Sequence, residues 1–290
     1  MEIKKVGVIG AGVMGHGIVQ VCAQVAKTEV ILRDVSEELV QRGLEDIRRF
    51  LQGTVDRGRI TKEEAEEVLS RIKITTRLED VKDADLIIEA IPEDMDLKKG
   101  SFAELEDICG KDTIFATNTS MLSITEMASV TKRADRFAGM HWFNPPQLMR
   151  LIEVVSGSET SSDTANTLMD FAVRLGKTPI TVKDSPGFVV NRILQPWYNE
   201  AFSMIDENIT TPEDIDAAYR AFGFRMGPCQ QRDLVGHDTG LAVTSKLYEE
   251  FGDTRFRPPM VIRKLVRAGR LGRKSGKGFY DYDETAGYQR

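Results

Sequence analysis

The sequence predicts an α/β protein with a largely parallel sheet covered on both faces and an inserted helical hairpin, followed by an all-α C-terminal domain. Three observations carry this. Short apolar runs alternate with helical patterns over residues 1–184, a glycine-rich turn follows the first run directly, and strand patterns vanish from residue 185 onward. At 290 residues the chain is long enough for two domains, 1–184 and 185–290. Its 41% hydrophobic and 29% charged content excludes a disordered or fibrous chain.

Residues 6–9 form an apolar run ending in glycines, residues 13–25 have helical character, and residues 29–32 form a second run ending at Arg33-Asp34. This is a βαβ opening. The charged, amphipathic stretch 36–71 accommodates two helices broken near Gly58, the second starting on a capping box at Thr61-Lys62-Glu63-Glu64. In a plain doubly wound fold the next strand would arrive sooner, so this stretch is read as the inserted hairpin. Strand-like runs resume at 72–75, 86–90, 113–116, 137–140, 151–155 and 178–182, with helical patterns between them, notably 97–108 and 162–175. Helices follow at 188–207, 212–222, 236–250 and 258–268, and the glycine-rich, basic stretch 272–280 is expected to be an ordered loop.

No run reaches the ~18 apolar residues of a membrane span. The net charge of −6 gives no overall basic footprint for nucleic acid. Cys22, Cys109 and Cys229 lie far apart and form no CxxC or Cys/His zinc spacing, so no metal is expected and the cysteines read as free thiols of a reducing compartment. The first strand starts almost at once and leaves no room for a leader, so a cytoplasmic location is expected.

Gly10-Ala11-Gly12-Val13-Met14-Gly15 fits Gly-x-Gly-x-x-Gly. In that pattern Gly10 permits the tight turn, Gly12 lets the backbone approach a pyrophosphate, and Gly15 allows close helix–strand packing. The motif follows a strand, opens a helix and meets an acid, Asp34, at the end of the second strand. That context identifies a Rossmann-type dinucleotide site. Asp34 is expected to accept from the ribose hydroxyls and repel a 2′-phosphate, favouring NAD. Arg33 beside it leaves NADP as the lesser alternative. His16 is expected to have no catalytic duty.

A nicotinamide cofactor needs a partner that manages an alcohol proton, and in the absence of a metal constellation an acid/base side chain must do so. Of the three histidines, His141 lies where the sixth strand-like run ends, at the rim where open α/β sheets place ligands. Twelve residues later Glu153 stands among aliphatic neighbours, where a carboxylate needs a partner. Glu153 can fix the imidazole tautomer and stabilise imidazolium. A purely structural His–Glu pair has equal weight on spacing alone.

The glycine turn, Thr117-Asn118-Thr119-Ser120, His141-x-Phe-Asn-Pro, Glu153, Asp184-Ser-Pro-Gly-Phe-Val-Val-Asn191-Arg192, Met226-Gly-Pro228 and Gly276-Lys-Gly-Phe-Tyr280 together resemble the L-3-hydroxyacyl-CoA dehydrogenase family, most of all its short, stand-alone bacterial 3-hydroxybutyryl-CoA dehydrogenases. The likeness covers essentially the whole chain. It implies oxidation of a 3-hydroxyacyl-CoA with NAD, or the reverse, with His141 as general acid/base oriented by Glu153. It further implies that Ser120 and Asn191 hydrogen-bond the reacting oxygen or thioester carbonyl. Glu93, Lys98 and Asn144 match positions near the nicotinamide ribose, beside Gly10, Gly12, Met14, Gly15, Asp34 and Ser120 in the cofactor site. Each has a plainer alternative: a helix-start charge for Glu93, a surface lysine for Lys98, turn or cap residues for Asn144 and Asn191, and an N-cap of the following short helix for Ser120. The family also implies coenzyme A contacts along the hairpin, whose basic residues Arg42, Arg48, Arg49, Arg57, Arg59 and Lys62 could meet phosphates, although a solvated face is the better reading for any single one, and a homodimer through the helical domain.

Trp142, Pro146-Gln147, Arg150, Cys229, Gln230, Gln231 and His237 depart from the family's usual pattern. The two glutamines and His237 suggest an acyl group with a polar or carboxylated far end, against the alternative that they face solvent or the dimer contact. The rival readings are a free β-hydroxyacid dehydrogenase, which typically relies on a lysine base, and a non-catalytic NAD-binding protein.

Overall fold

The computed structural model describes residues 1–282 and divides into two compact units, Met1–Phe188 and the chain from Val189 onward. The last eight residues of the expected C-terminal domain lie outside the described residues. The first unit continues past the expected junction at 184/185 because that segment is tied to it. Asp184 accepts from the Ser123 hydroxyl and the Thr125 N–H, both at 2.8 Å, and Phe188 is buried in the sheet's core.

The first unit holds strands β1 (Lys5–Ile9), β2 (Glu29–Arg33), β3 (Ile72–Thr75), β4 (Leu86–Glu89), β5 (Ile114–Thr117), β6 (Phe137–Trp142), β7 (Leu151–Ser156) and β8 (Thr178–Lys183). They form one sheet in the order β3-β2-β1-β4-β5-β6-β7-β8. All neighbours are parallel except β6 and β7, which run antiparallel. The connection 143–150 is too short for the crossover that a parallel pair needs. Helices α1 (Val13–Gln24), α2 (Glu37–Asp56), α3 (Lys62–Ser70), α4 (Met95–Ile108), α5 (Ile124–Ala128) and α6 (Ser162–Arg174) belong to the same unit. Successive strand residues point to opposite faces, so Ile88 joins the core with Ile18, Leu32 and Met140, while Ile87 joins Phe102, Phe115 and Phe137. The chain departs from β1 to β2 and β3 on one side and to β4 on the other. That reversal opens a crevice at the carboxyl ends of β1 and β4.

The hairpin expected at 36–71 is α2 and α3, which together make the crossover from β2 to β3. Ser36 caps α2 by accepting from Leu39 N–H, and Thr61 and Glu64 form the reciprocal capping box of α3. Val40, Ile47 and Leu51 make the buried stripe of α2. Gly43 lets that helix approach the glycine turn, since a Cβ there would lie 3.1 Å from the Ala11 carbonyl oxygen.

The second unit is helical: α7 (Val190–Asp206), α8 (Pro212–Phe222), α9 (Pro228–Val235), α10 (His237–Phe251) and α11 (Met260–Arg267). Tyr198, Phe202, Ile215, Cys229 and Ile262 centre its core. Helix α9 escapes sequence reading because Cys-Gln-Gln-Arg-Asp offers no apolar period, yet it carries Pro228 at its first turn as helices often do. His237 does not present a polar tip to an acyl tail, to solvent or to a dimer contact. It is 0% exposed, its Nε2 lies 2.6 Å from Asp233 Oδ1, and its ring meets Phe279 edge-on. Asp233 also accepts from Phe279 N–H, Tyr280 N–H and the Tyr282 hydroxyl, which pins the glycine-rich stretch to α9. Burial pushes the Asp233 carboxyl up, but these hydrogen bonds outweigh it and hold it below the usual carboxylate range. Gln230 accepts from Arg220 at 3.1 Å. No helix among the described residues is long and apolar enough to cross a membrane.

Candidate active site

The crevice beside β1 and β4 is a cavity of ≈ 810 Å³ lined by Gly10, Gly12, Met14, Arg33, Asp34, Ile91 and Leu97 among others. Its floor is the glycine turn. Gly10 takes φ +104°, and a Cβ on Gly15 would stand 1.7 Å from the Gly10 carbonyl oxygen, so both glycines are required by the fold itself. Gly12 is different, because a Cβ there would meet nothing within 4 Å. Helix α1 starts on Gly12 with no side-chain cap and no acid in its first turn, whereas α2 to α6 each start on a Ser, Thr or Asp that accepts an N–H. The first N–H groups of α1 and its positive dipole end are therefore left to an anion, and the bare Gly12 backbone leaves room for a pyrophosphate. Asp34 accepts from Ala11 N–H and Val35 N–H, both at 2.6 Å, so the acid is locked beside that turn. These residues fit a dinucleotide.

Further along the sheet, on the third and fourth strands from β1, His141 and Glu153 are directly paired residues of the antiparallel β6–β7 ladder. Opposite residues on such a pair point to the same face, and the twelve-residue spacing is that of the hairpin. Nδ1 of His141 lies 2.6 Å from Glu153 Oε2, with the histidine 4% and the glutamate 0% exposed. Phe143 and Phe188 pack against the imidazole, with ring centroids at 4.5 and 5.6 Å. With Nδ1 held by the carboxylate, Nε2 is the nitrogen left to exchange a proton with a ligand.

Ser120 closes the loop that leaves β5, the strand beside β6. Asn118 Oδ1 accepts from Trp142 N–H at 2.9 Å, which fastens that loop to the residue after His141. Glu93 binds the loop from the other side. Its Oε1 accepts from the Thr119 hydroxyl at 2.6 Å, Ser120 N–H at 2.9 Å and Met121 N–H at 3.2 Å. Lys98 is 1% exposed, no surface lysine, and donates to Glu89 Oε1 at 2.6 Å and the Ile91 carbonyl at 3.2 Å, with Glu93 Oε2 at 3.4 Å. The Thr117 hydroxyl donates to Glu89 Oε2 at 2.6 Å. Burial pushes the Glu89 carboxyl up, against the Lys98 ammonium and these hydrogen bonds. Sequence reasoning passed over Glu89; its signal was a lone acid ending the apolar run Leu86-Ile87-Ile88. The N-cap of the short helix α5 is Ser123, not Ser120.

Asn144 is exposed in the β6–β7 connection, next to a cis bond to Pro145. That connection is braced from two sides. Lys177 donates to the carbonyls of Pro146 at 2.6 Å and Met149 at 2.8 Å, and burial lowers its ammonium. Pro146 seats against Gly17 of α1, and Gln147 donates to Gln20 at 3.1 Å. Asn191 stands in the first turn of α7, in the helical unit. His16 sits in α1 with Nδ1 3.9 Å from Asp46 of the hairpin, and burial lowers its ring.

Residues 5–185 match the model of the 3-hydroxyacyl-CoA dehydrogenase NAD binding domain, and residues 187–282 match that family's C-terminal domain. The chain is 45% identical over 281 residues to a 3-hydroxybutyryl-CoA dehydrogenase of Clostridioides difficile, covering 97% of this chain and 100% of the relative. It is 41% identical to a 3-hydroxyadipyl-CoA dehydrogenase of Escherichia coli, covering 97% of this chain and 60% of that longer one. Among solved structures, (S)-3-hydroxybutyryl-CoA dehydrogenase from Ralstonia eutropha is similar with a TM-score of 0.94 at 44% identity, over 98% of this chain and 100% of the other. The nucleotide crevice and the matches at both ends of the chain agree, and this chain belongs to the 3-hydroxyacyl-CoA dehydrogenase family of NAD-dependent oxidoreductases.

Proposed function

We propose that the chain interconverts a short-chain (3S)-3-hydroxyacyl-CoA, such as 3-hydroxybutyryl-CoA, and its 3-oxoacyl-CoA, with His141 as the general acid/base. The observation that carries this reading is the buried His141–Glu153 pair, which commits Nδ1 and leaves Nε2 for the substrate. Bound NAD supplies the acceptor for the hydride that leaves C3. His141 Nε2 takes the proton of the C3 hydroxyl, and Glu153 stabilises the imidazolium so formed. In the reverse direction the same nitrogen returns the proton. Ser120 hydrogen-bonds the reacting oxygen, and Asn191 is assigned by family likeness to that oxygen or the thioester carbonyl.

Gly10, Gly12, Met14 and Gly15 would hold the cofactor, with Asp34 toward its ribose and Asn144 toward its nicotinamide half. For Glu93 and Lys98 the geometry favours a changed role. Lys98 has its acceptors inside the protein, so it acts on the cofactor side by holding Glu93, which in turn holds the Ser120 loop. A homodimer through the helical unit belongs to the same proposal. Trp197, Tyr219, Phe222 and Phe224 form one aromatic cluster there, with Phe222 85% exposed, a surface suited to a second copy. Cys22, Cys109 and Cys229 are buried free thiols, in keeping with a reducing cytoplasm.

The test is NADH consumption with acetoacetyl-CoA beside free acetoacetate. Consumption with the thioester and not the free acid is expected. Equal rates would favour a free hydroxyacid dehydrogenase, and no consumption with either would favour a binding protein.

A further inference from the structure

The helical unit buries an arginine that no acid among the described residues neutralises. Arg232 of α9 is 6% exposed. Its Nη2 donates to Gln195 Oε1 at 3.0 Å, and the Thr244 hydroxyl donates to the same oxygen at 2.9 Å. The guanidinium carbon lies 5.0 Å from the Tyr198 ring centre and 5.7 Å from that of Phe202. Burial pulls the guanidinium down to about 10, and the one ionisable neighbour that opposes this among the described residues is the Tyr198 phenol. Nε and Nη1 have no hydrogen-bond partner among the described residues. The guanidinium lies against Gly240 of α10, which has no side chain to displace it, and the residue keeps a small exposed area.

A guanidinium kept from water without a counter-charge is costly, and a core position between aromatic rings is more simply filled by an apolar side chain. A cation retained there, with its plane set by Gln195 and N–H groups left without a partner among the described residues, is suited to an anionic ligand. Its place in the fold says which. Gln195, Tyr198 and Phe202 follow Asn191 on α7 at i+4, i+7 and i+11, so the four share one helix face. Gln195 stands only ~6 Å along the axis from Asn191, about one helical turn.

We propose that Arg232 is the seat of a carboxylate at the far end of the acyl chain, which makes the preferred substrate a short 3-hydroxyacyl-CoA of a dicarboxylic acid. This rests on the reading above, in which Asn191 contacts the reacting end of the acyl group. A chain that starts at Asn191 and runs a few methylene groups along the α7 face ends at the guanidinium. There its carboxylate accepts charge-assisted N–H bonds from the guanidinium, and the Tyr198 and Phe202 rings keep water away. His237, Gln230 and Gln231 are not needed for this.

The experiment compares kcat/KM for 3-hydroxyadipyl-CoA and 3-hydroxyhexanoyl-CoA, which have equal length and differ in the terminal carboxylate, with 3-hydroxybutyryl-CoA as the reference. The full-length wild type is expected to favour the adipyl thioester over the hexanoyl one. Arg232→Gln should lower kcat/KM for the adipyl thioester by roughly 10²–10³-fold, the usual cost of unpairing a desolvated charge pair, and bring the ratio toward one. Arg232→Lys, which keeps the charge but loses the fork, should retain part of the ratio. A wild type that favours the hexanoyl thioester or treats both alike overturns the seat, as does a preference that survives in Arg232→Gln. Turnover of none of the three thioesters overturns the proposed reaction itself. Turnover of 3-hydroxybutyryl-CoA without a carboxylate preference overturns the seat alone.

Discussion

Glu153 and Lys98 are both buried ionisable side chains, the one held by His141 and the other by Glu89, yet replacing them should have opposite signatures. Glu153→Gln keeps the shape but removes the charge that stabilises imidazolium, so kcat should fall by roughly 10³–10⁴-fold with the fold intact, as measured by steady-state rates beside circular dichroism. Lys98→Met leaves Glu89 buried without its ammonium and should cost about 3–5 kcal/mol in urea unfolding, the range for breaking a buried pair. An unchanged urea midpoint would contradict the buried network. At this scale the sequence was most legible where chemistry is unusual. A histidine at a strand end and an acid among aliphatics pointed to each other, and the structure places them at 2.6 Å. It was least legible where a charge turns inward. Nothing in Asp94-Met95-Asp96-Leu97-Lys98 tells that the lysine is buried, because its partner Glu89 sits on the preceding strand. Arg232 escaped for the same reason, since its wall comes from α7.

The β1–α1 turn separates what the fold needs from what the ligand needs. Gly15→Ala drives a Cβ into the Gly10 carbonyl and should destabilise the protein by about 1–3 kcal/mol, the usual range for overpacking. Gly12→Ala meets open space at an ordinary φ of −65°, so stability should stay within about 1 kcal/mol while the Kd for NADH rises ~10-fold or more. Calorimetric unfolding and NADH fluorescence titration of the two variants check this, and a Gly12→Ala protein that binds NADH normally would remove the turn from the pyrophosphate site. Elements with a period or a cap were readable in advance: the eight strands, the hairpin and the Thr61 capping box. The direction of β7 had to come from loop length, since antiparallel and parallel buried strands have similar patterns. Helix α9 could not be read because its buried face is made of Cys229, Arg232 and Asp233 rather than an apolar stripe.

On the scale of the whole molecule, the two units put different chemistry under different constraints: the sheet unit holds the glycine turn and the His141–Glu153 pair, and the helical unit sets buried polar groups around Asp233 and Arg232 beside its apolar core. The Asp233 carboxyl is held below its ordinary value, so its contribution to stability is present above the unfolded pKa of about 3.9 and is lost as pH falls through the lower folded value. Acid should therefore loosen the helical unit below about pH 4. The two tryptophans, Trp142 and Trp197, lie one in each unit, so Trp197 fluorescence in a Trp142→Phe background follows it. The stability of Asp233→Asn should depend less steeply on pH in that range, and an equal slope would contradict the assignment. Fold class and two-part organisation were legible because they rest on alternation and composition over long stretches, whereas the acyl preference depends on side chains that meet only after folding. In the proposed reaction His141 moves the proton of the 3-hydroxyl group. That role is tested most directly by kcat for acetoacetyl-CoA reduction in His141→Gln, with NADH affinity measured on the same protein. A fall of roughly 10²–10⁴-fold with NADH binding retained is expected. Turnover near wild type would contradict the claim and remove His141 from the mechanism.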